Sequence, residues 1–193
     1  MYNKIKNFKP IIEKKFPNDK LSLLFENCER KFIKKHTLLY QTGESADTIY
    51  LIEKGAFKLF TLYPDGHTKT FGYHVRGTTI GTLNCLAYST AICNCEAATD
   101  SVVALCPIDL YIQRLRKYDL FEELLRIEAR KACWIFDSIE FMFTKDSKEI
   151  VATLLDEGMA QHEIADFLGY STVHISRLCS QLGINRNYNE NCK

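Results

Sequence analysis

Side chains suited to contacts with DNA bases lie close together near the carboxyl end of the chain, between residues 161 and 182. Arg177 is the strongest candidate, because a guanidinium group fits the O6 and N7 edge of guanine with two hydrogen bonds, worth about 1–3 kcal/mol of base discrimination. Ser176 can donate a hydrogen bond to a base or a phosphate, and Val173 can contact a thymine methyl group. The alternative is an ordinary helical hairpin with an exposed arginine. The full set of predicted DNA contacts is Gln161, Ser171, Thr172, Val173, His174, Ser176 and Arg177.

Two short helices joined by a tight turn are needed to present these side chains. Ile164 and Leu168 are one helical turn apart and predict the buried face of a first helix. Gly169 follows, where the residue that ends a helix often takes the left-handed conformation. The hydroxyl of Ser171 or Thr172 can then cap a second helix by accepting a hydrogen bond from a free backbone N–H. This pattern predicts a helix-turn-helix, whose second helix enters the DNA major groove.

The run EIADFLG followed by STVHISRL resembles the DNA-reading motif of the CRP–FNR family of bacterial transcription regulators. The family's recognition helix has the form S-x-x-T-[IV]-S-R, which residues 171–177 match except that His174 replaces Thr. Many members carry Glu where this chain has Val173, and the halorespiration-type members, which sense chlorinated aromatics, resemble it more closely there. The resemblance implies a palindromic DNA site whose half-sites are shifted from the TTGA type toward an A·T-rich, TTAA-like sequence.

Short β-type runs separated by turn residues begin at Thr37. Strand candidates are 38–40, 49–53, 57–63, 67–75 and 102–105, and Pro64-Asp65-Gly66 is a strong turn signal. Several short strands between glycine turns predict a barrel or sandwich. The segment TLLYQTGESADTIYLIEKGAFKLF is similar to the opening of the sensor domain in the same family, and the resemblance extends over roughly residues 38–184.

The resulting expectation is an α+β fold with three parts. An N-terminal cyclic-nucleotide-binding-like β-roll with its leading helices covers residues 1–115, and a long dimerisation helix covers 116–144. A C-terminal helix-turn-helix domain with a reduced or absent wing covers 145–193. Residues 144–147 are the predicted hinge, and Ser147 is the predicted cap of the helix that follows.

The ligand residues of the sensor are where this chain departs from the cyclic-nucleotide members of the family. Those members hold the ribose with a Glu where this chain has Thr82, and they hold the phosphate with an Arg that is missing from residues 89–92. A cyclic phosphate buried without a cation loses its hydration uncompensated, so no cyclic nucleotide is expected to bind. Two alternatives remain for the interior of this domain. It is either a site for a small apolar or aromatic effector, or a filled core with no ligand. The predicted effector contacts are Tyr73, His74, Thr82, Leu83, Asn84, Cys85, Ala91 and Ile92.

A long helix is predicted over about 119–143, because no Gly or Pro interrupts this stretch. Its apolar residues form two stripes, one with Leu125, Ile135 and Ile139 and the other with Leu124 and Ile127 among its members. One stripe can cover the β-domain, and the other needs a second partner, most simply the same helix of a second subunit. The chain is therefore expected to form a homodimer; the alternative is a helix held between two parts of one subunit.

Composition limits the other classes of protein to which this chain could belong. The net charge is +1, and no apolar signal segment or membrane span is recognised, so a soluble cytoplasmic protein without a membrane partner is expected. The eight cysteines fit no zinc or iron–sulfur spacing well and are expected to be mainly buried thiols, so no metal or other cofactor is predicted. A redox-switch disulfide is an open alternative.

Two features disagree with the family pattern. Both segments of the usual wing are missing, either because the unit has only helices or because the chain is cut short. Residues 151–193 hold three basic and five acidic side chains, a net charge of −2, whereas DNA-binding units are usually basic. A sensor or interaction dimer with a degenerate helix-turn-helix is therefore the second hypothesis. A cupin-type enzyme is the third and least favoured, because such metal sites need converging histidines.

Overall fold

The computed structural model describes residues 11–12, 18–156 and 158–184. The strands in these ranges are β1 (Ile11–Ile12), β2 (Glu29–Ile33), β3 (Leu38–Tyr40), β4 (Thr48–Lys54), β5 (Ala56–Leu62), β6 (Thr68–Val75), β7 (Thr79–Ile80), β8 (Asn94–Ala97) and β9 (Ser101–Pro107). The helices are α1 (Asn18–Leu24), α2 (Thr82–Leu86), α3 (Ile108–Lys117), α4 (Phe121–Thr144), α5 (Ser147–Asp156), α6 (Gln161–Leu168) and α7 (Thr172–Gln181).

Two sheets enclose a common core and form a β-roll. One sheet has the strand order β1-β6-β5-β8-β3, and the other has the order β2-β9-β4-β7. Their inner faces meet at Ile52, Phe57, Ile80 and Val103, all of which are almost completely buried. Burial of such side chains, each worth about 1.5–3 kcal/mol, is the main favourable term for a domain of this kind. This β-roll with accompanying helices is the coarse architecture that the sequence predicts.

The hairpin of β5 and β6 confirms the strongest turn signal of the sequence. Leu62 pairs with Thr68, and the amide of Tyr63 donates to the carbonyl of His67 over 2.9 Å. Gly66 has a φ of +87°, a conformation that glycine adopts without steric cost. The register shifts between Leu59 and Phe60, so the hairpin carries an irregularity in its middle.

Five elements of the roll are not recognised in the sequence: the two-residue strands β1 and β7, and also β2, β8 and α2. Strand β2 reads as a solvated basic run because only Ile33 in it is buried. Strand β8 buries only Cys95 and Ala97, which are too small to give a clear alternating pattern. Helix α2 is a five-residue segment after Gly81, which is too short for helical periodicity to be visible.

Helix α4 is the long helix of the sequence analysis, and its two apolar stripes have different surroundings. Leu124 and Ile127 are buried together with Tyr111 and Leu115 of α3 and with residues of the roll. Leu125, Ile135 and Ile139 are exposed. Trp134 belongs to the same predicted stripe as Leu124 and Ile127, and its side chain lies outside the described part of the structure. One stripe therefore packs on the β-domain, as expected, and the other is uncovered in the single chain.

Helices α5, α6 and α7 enclose a second core with Leu154, Ile164 and Ile175 at its centre. Phe141 of α4 is part of this core, so the long helix is packed into it as well as into the roll. Residues 158–160, between α5 and α6, form no strand. The C-terminal segment from 185 to 193, on which the other part of the wing prediction falls, lies outside the described residues.

The cap of α5 differs from the prediction. Ser147 is inside the helix, and the side chain of Asp146 is the acceptor for the free backbone amides of Lys148 and Glu149, at 2.8 and 2.9 Å. A carboxylate satisfies two amides and also interacts favourably with the positive end of the helix dipole. Of the predicted leading helices, α1 is present, and most residues before it lie outside the described ranges.

Candidate DNA-reading helices and effector cavity

The turn between α6 and α7 has the local chemistry that its sequence predicts. Gly169 has a φ of +71° and ends α6, and the amide of Tyr170 donates to the carbonyl of Ala165 over 3.0 Å. Of the two candidate caps of α7, Ser171 is the one used, because its Oγ accepts a hydrogen bond from the amide of His174 over 3.1 Å. A short turn closed by these bonds fixes how the two helices cross.

Helix α7 has one buried and one exposed face. Ile175, Leu178 and Cys179 are buried against α5 and α6. The exposed residues of α7 are Ser180 and Gln181 near its end and four members of the predicted DNA-contacting set, namely Thr172, Val173, His174 and Arg177. Ser176 is half-buried beside them.

The charges of the unit are distributed unevenly. Arg177 makes no ion pair or side-chain hydrogen bond with another residue of the described ranges, and α7 contains no acidic residue. The carboxylates of α6 lie on the side of the β-roll: burial first, and then Asp166 and Glu163, raise the pKa of Tyr73 in β6. The net negative charge of this part of the chain is therefore not concentrated on the exposed face of α7.

The remaining predicted DNA contacts lie at the starts of the two helices. Gln161 is the first residue of α6 and is half-buried, and the amide before it, on Ala160, donates to Glu163 over 2.8 Å. The ring of His174 meets the ring of Tyr170 edge-on, with 4.8 Å between centroids. His174 therefore packs beside the turn, while its ring remains on the exposed side.

A cavity of about 470 Å³ lies between the β-roll and the carboxyl-terminal half of α4. The sheet side contributes Tyr40, Leu59, Lys69, Thr70, Phe71, Gly72 and His74, together with residues 79–84, Ile92 and Cys93. Helix α4 contributes Glu128, Lys131, Ala132, Ile135, Ile139 and Met142, and α6 contributes Phe167. A volume of this size is typical of small-molecule sites, which are mostly apolar with a few placed polar groups.

The polar groups of the cavity wall are few. His74 is buried, and burial together with the nearby Lys131 ammonium lowers its pKa to about 3, so its imidazole is neutral. Its Nδ1 and the Oγ1 of Thr70 have no hydrogen-bond partner within the described residues. The ammonium of Lys131 donates to Glu128 over 2.7 Å.

The structure brings together five of the eight predicted effector residues and separates the other three. His74, Thr82, Leu83, Asn84 and Ile92 line the cavity.

Tyr73, Cys85 and Ala91 were expected there, but they do not line it. Tyr73 lies instead near Asp166 and Glu163 of α6, which add to the effect of burial in raising its pKa. The thiol of Cys85 is directed to the carbonyl of Thr48, 3.5 Å away, in a different core cluster. Ala91 lines a smaller cavity of about 70 Å³ instead.

The sequence analysis missed the α4 and α6 contributions to this cavity. The apolar stripe that contains Ala132, Ile135 and Ile139 was recognised, but the sequence left open whether it covers the β-domain or meets a second subunit. Nothing in the local pattern places Phe167 at the cavity, because it lies nearly a hundred residues after β6 in the chain.

A cupin-type metal site would need histidines that converge on one point. His67 contacts Asp65 in the β5–β6 turn, whereas His74 is buried, so these two histidines lie in different surroundings. No three metal-ligating side chains of the described ranges come together in one group. In the same ranges, none of the helices has the combined length and apolar character needed to cross a bilayer.

The cysteines behave as expected where the structure describes them. Cys28, Cys85, Cys93, Cys95, Cys106 and Cys179 are buried free thiols, and Cys133 is exposed. Burial raises the pKa of Cys93 to about 11 and, with Asp47, that of Cys85 to about 11. Such thiols are poor nucleophiles at neutral pH. Cys192 lies outside the described residues.

Comparisons with known proteins support the β-roll and the overall fold described above. Residues 30–125 match the family model of the cyclic nucleotide-binding domain. The transcriptional activator protein Anr of Pseudomonas protegens is 24% identical over 166 residues, 76% of this chain and 67% of Anr. An uncharacterized NTE family protein of Mycobacterium tuberculosis is 28% identical over 114 residues, 58% of this chain, which spans only 19% of that protein. Among solved structures, OCPA-complexed CprK has the same fold, with a TM-score of 0.71, 19% identity and coverage of 91% of this chain and 88% of CprK.

Proposed function

We propose that this chain is a dimeric, effector-responsive transcription regulator of the CRP–FNR family that reads a palindromic DNA site. The observation that carries this proposal is the exposed face of α7. Arg177 on that face has no partner in the described ranges, and the helix that holds it is capped by Ser171 and packed through Ile175. An unpaired guanidinium on a rigid helix is the group that recognises a guanine edge in a major groove.

Dimerisation is proposed through the outer face of α4, which does not include Ile135 and Ile139 of the cavity wall. Leu125, Phe136 and Phe143 are exposed by 69%, 71% and 85% on one helix. Exposed apolar side chains repeated along a helix mark an interaction surface, and the same helix of a second copy is self-complementary to it. A two-fold axis then requires a palindromic site with half-sites about one helical turn, roughly 34 Å, apart.

The proposed effector is a small, largely apolar molecule in the 470 Å³ cavity. A cyclic nucleotide is disfavoured because the hydroxyl of Thr82 is already bonded to that of Thr79 over 3.0 Å, and because residues 89–92 contain no cation. The effector can change DNA affinity only through unequal binding to the two arrangements of the dimer. The residues proposed to contact DNA are the exposed members of the predicted set on α7. Ser171 and Gln161 are proposed to contact phosphates.

The experiment that tests the function is a selection of duplexes from a random pool by the purified full-length protein at low ionic strength. The expected result is enrichment of a two-fold symmetric sequence, which is then confirmed by a gel shift against a scrambled duplex of the same composition. A pool that shows no enriched sequence after repeated rounds would contradict specific DNA reading.

A sensor or interaction dimer with a degenerate helix-turn-helix is the second candidate function. Its support is the low positive charge of the unit. Apart from His174, Arg177 is the one basic residue of α7, which spans Thr172–Gln181. Each phosphate contact adds about 0.9 to the salt slope of binding, so a unit with few cations binds weakly. This candidate predicts a stable dimer and a selection in which no duplex sequence is enriched. The first candidate predicts a stable dimer and an enriched sequence.

A further inference from the structure

We propose that Cys28 and Cys106 form a reversible disulfide bond when the chain meets a low-molecular-weight disulfide, and that Arg114 positions the thiol that reacts first. The pair lies in the β-roll beside α3, and neither cysteine lines the effector cavity. The inference goes beyond the proposed function, because it concerns the oxidation state of the roll and involves neither DNA nor an effector.

The two cysteines face each other in the sheet that contains β2 and β9. These strands are antiparallel, and at this end of the ladder Glu29 is aligned with Leu105. One further step of the same register places Cys28 opposite Cys106. Directly opposed residues have Cα atoms about 4.5–5.5 Å apart and side chains on the same face, and disulfides join Cα atoms about 4.4–6.8 Å apart. The register therefore provides the spacing that an S–S bond needs.

The side-chain contacts of the two thiols agree with this register. Both cysteines belong to one core cluster, in which Cys28 is 9% exposed and Cys106 is fully buried. Burial raises the pKa of Cys106, and the neighbouring Cys28 thiol adds to this effect through its charge and a hydrogen bond. The Cys106 thiol also donates to the carbonyl of Leu24 over 3.6 Å. The two sulfur atoms are thus close enough for one to displace a leaving group from the other.

Arg114 of α3 distinguishes the two thiols. Its Nη1 donates to the Sγ of Cys28 over 3.1 Å and to the carbonyl of Leu24 over 2.8 Å, and its Nη2 donates to the carbonyl of Glu26 over 2.6 Å. These bonds fix the guanidinium beside Cys28, where it can donate a charge-assisted hydrogen bond to the thiolate formed during the reaction. Cys28 is also the more exposed of the two cysteines. It therefore attacks an incoming disulfide first, and Cys106 is the resolving thiol.

The reaction is a thiol–disulfide exchange in two steps. Cys28 loses its proton and its sulfur attacks one sulfur of the small disulfide, whose S–S bond breaks. The released thiolate takes up the proton, and Cys28 is left in a mixed disulfide. Cys106 then loses its proton and attacks the Cys28 sulfur, which releases the second small thiol. Two cysteines are oxidised and one small disulfide is reduced to two thiols, so the step needs no other oxidant.

The test uses the purified full-length protein in buffers that contain reduced and oxidised glutathione at fixed ratios. Free thiols are blocked with N-ethylmaleimide, and the protein is cut with trypsin and with a protease that cleaves before aspartate. This places Cys28 in a peptide of residues 21–30 and Cys106 in a peptide of residues 100–108, each without another cysteine. We expect oxidising buffers to yield the two peptides joined, with a mass two hydrogens below their sum, and dithiothreitol to separate them.

Single substitutions assign the roles within the pair. Cys106→Ser should stop the reaction at a mixed disulfide of Cys28 with glutathione, and Cys28→Ser should leave Cys106 as a thiol that maleimide blocks. Cys85→Ser alters a buried thiol of the same core cluster and should not change the yield of the joined peptides. Arg114→Gln should slow the joining by about tenfold or more, as the loss of a charge-assisted hydrogen bond does, and Arg114→Lys should restore part of the rate. Arg116→Gln, at an exposed position of α3, is the matched control.

The bond should also change the resistance of the protein to unfolding. It encloses residues 29–105 and restricts the unfolded chain, so the oxidised protein should unfold at a higher urea concentration than the reduced protein. Cys28→Ser should unfold at the same urea concentration in both buffers.

Peptides that stay separate and blocked by maleimide in the most oxidising buffer would overturn the proposal, as would disulfides found only between other cysteines. Unaltered protein that stops at the mixed disulfide would overturn the role of Cys106, and an unchanged rate in Arg114→Gln would overturn that of Arg114. A urea midpoint that does not rise on oxidation would overturn the fit of the bond to the native register. None of these measurements contains DNA, so their result does not depend on the duplex selection.

Discussion

At the scale of the residue, Arg177 is proposed to carry the sequence discrimination of the regulator. Arg177→Ala should lower affinity for the selected duplex by about 1–3 kcal/mol per half-site and should leave the dimer and its helical content unchanged. Arg177→Lys keeps the charge but loses the two-pronged geometry, so it should retain non-specific binding only. Arg116→Ala, an exposed position on α3, is the matched control. Gel shifts with the selected and the scrambled duplex measure the specific and the non-specific affinity. If Arg177→Ala still preferred the selected duplex by the same factor, the assignment would be refuted.

His74 gives a prediction on pH. Burial, with Lys131 adding to it, lowers its pKa to about 3 in the folded protein, from 6.5 for a free imidazole. Because the unfolded chain takes up the proton first, the stability contributed by neutral His74 is complete above about pH 6.5. It is lost as the pH falls toward the folded pKa, at about 1.4 kcal/mol per pH unit.

Urea denaturation at several pH values between about 7 and 5 measures this contribution. His74→Leu should unfold with a shallower pH dependence than the unaltered protein, and the difference should grow as the pH falls. His162→Gln, an exposed histidine of α6, is the control and should keep the original dependence. Identical slopes for His74→Leu and the unaltered protein would contradict a neutral buried imidazole.

At the scale of the element, the turn glycines of the roll separate backbone strain from lack of space. Gly55, between β4 and β5, and Gly66, between β5 and β6, both have a φ of +87°. A Cβ on Gly55 would lie 2.8 Å from the carbonyl oxygen of Asp100 and still closer to Ser101, whereas a Cβ on Gly66 meets nothing within 4 Å.

Gly66→Ala should therefore cost only the left-handed backbone, about 1 kcal/mol, and Gly55→Ala should cost clearly more because β9 must move. The midpoints of urea unfolding for the two variants give the comparison directly. Equal losses would mean that the start of β9 at Ser101 moves away from the new Cβ at no measurable cost in stability.

The elements differ in how far the sequence predicts them. The β5–β6 hairpin and the α6–α7 turn were predictable because Gly66, Gly169 and Ser171 satisfy local backbone needs that few other residues can meet. Strands β2 and β8 were not, because their neighbours in the sheets, and not their own pattern, hold them in place. The cap of α5 was misassigned by one residue, since Asp146 and Ser147 are both good caps and only the path of the chain decides between them.

The candidate sites show the same division. The exposed face of α7 follows from helical periodicity, with the turn fixing where the helix begins. The cavity does not, because His74, Lys131 and Phe167 come from three elements far apart in the chain. A contact between such distant residues leaves no local signal in the sequence. The site was therefore estimated from residues of β6 and from the segment around Thr82 alone.

At the scale of the whole molecule, α4 connects the two cores. Its first half is packed with the roll through Leu124 and Ile127, and Phe141 near its end belongs to the core of the C-terminal helices. Between these points it forms one wall of the cavity. A molecule bound there would contact the helix that joins the β-roll to the C-terminal helices. The outer side of the same helix is the proposed dimer contact.

That outer side gives the last prediction. Leu125→Glu combined with Phe136→Glu places two charges where two copies of α4 are proposed to meet, and burying them unpaired costs several kcal/mol. We expect light scattering after size exclusion to report a monomer, and the selected palindrome to be bound only as weakly as a single half-site. Leu62→Glu, an equally drastic change at an exposed apolar residue of β5, should leave the dimer intact. A double variant that is still dimeric would show that the subunits meet elsewhere, and the half-site spacing of about 34 Å would then lose its structural basis.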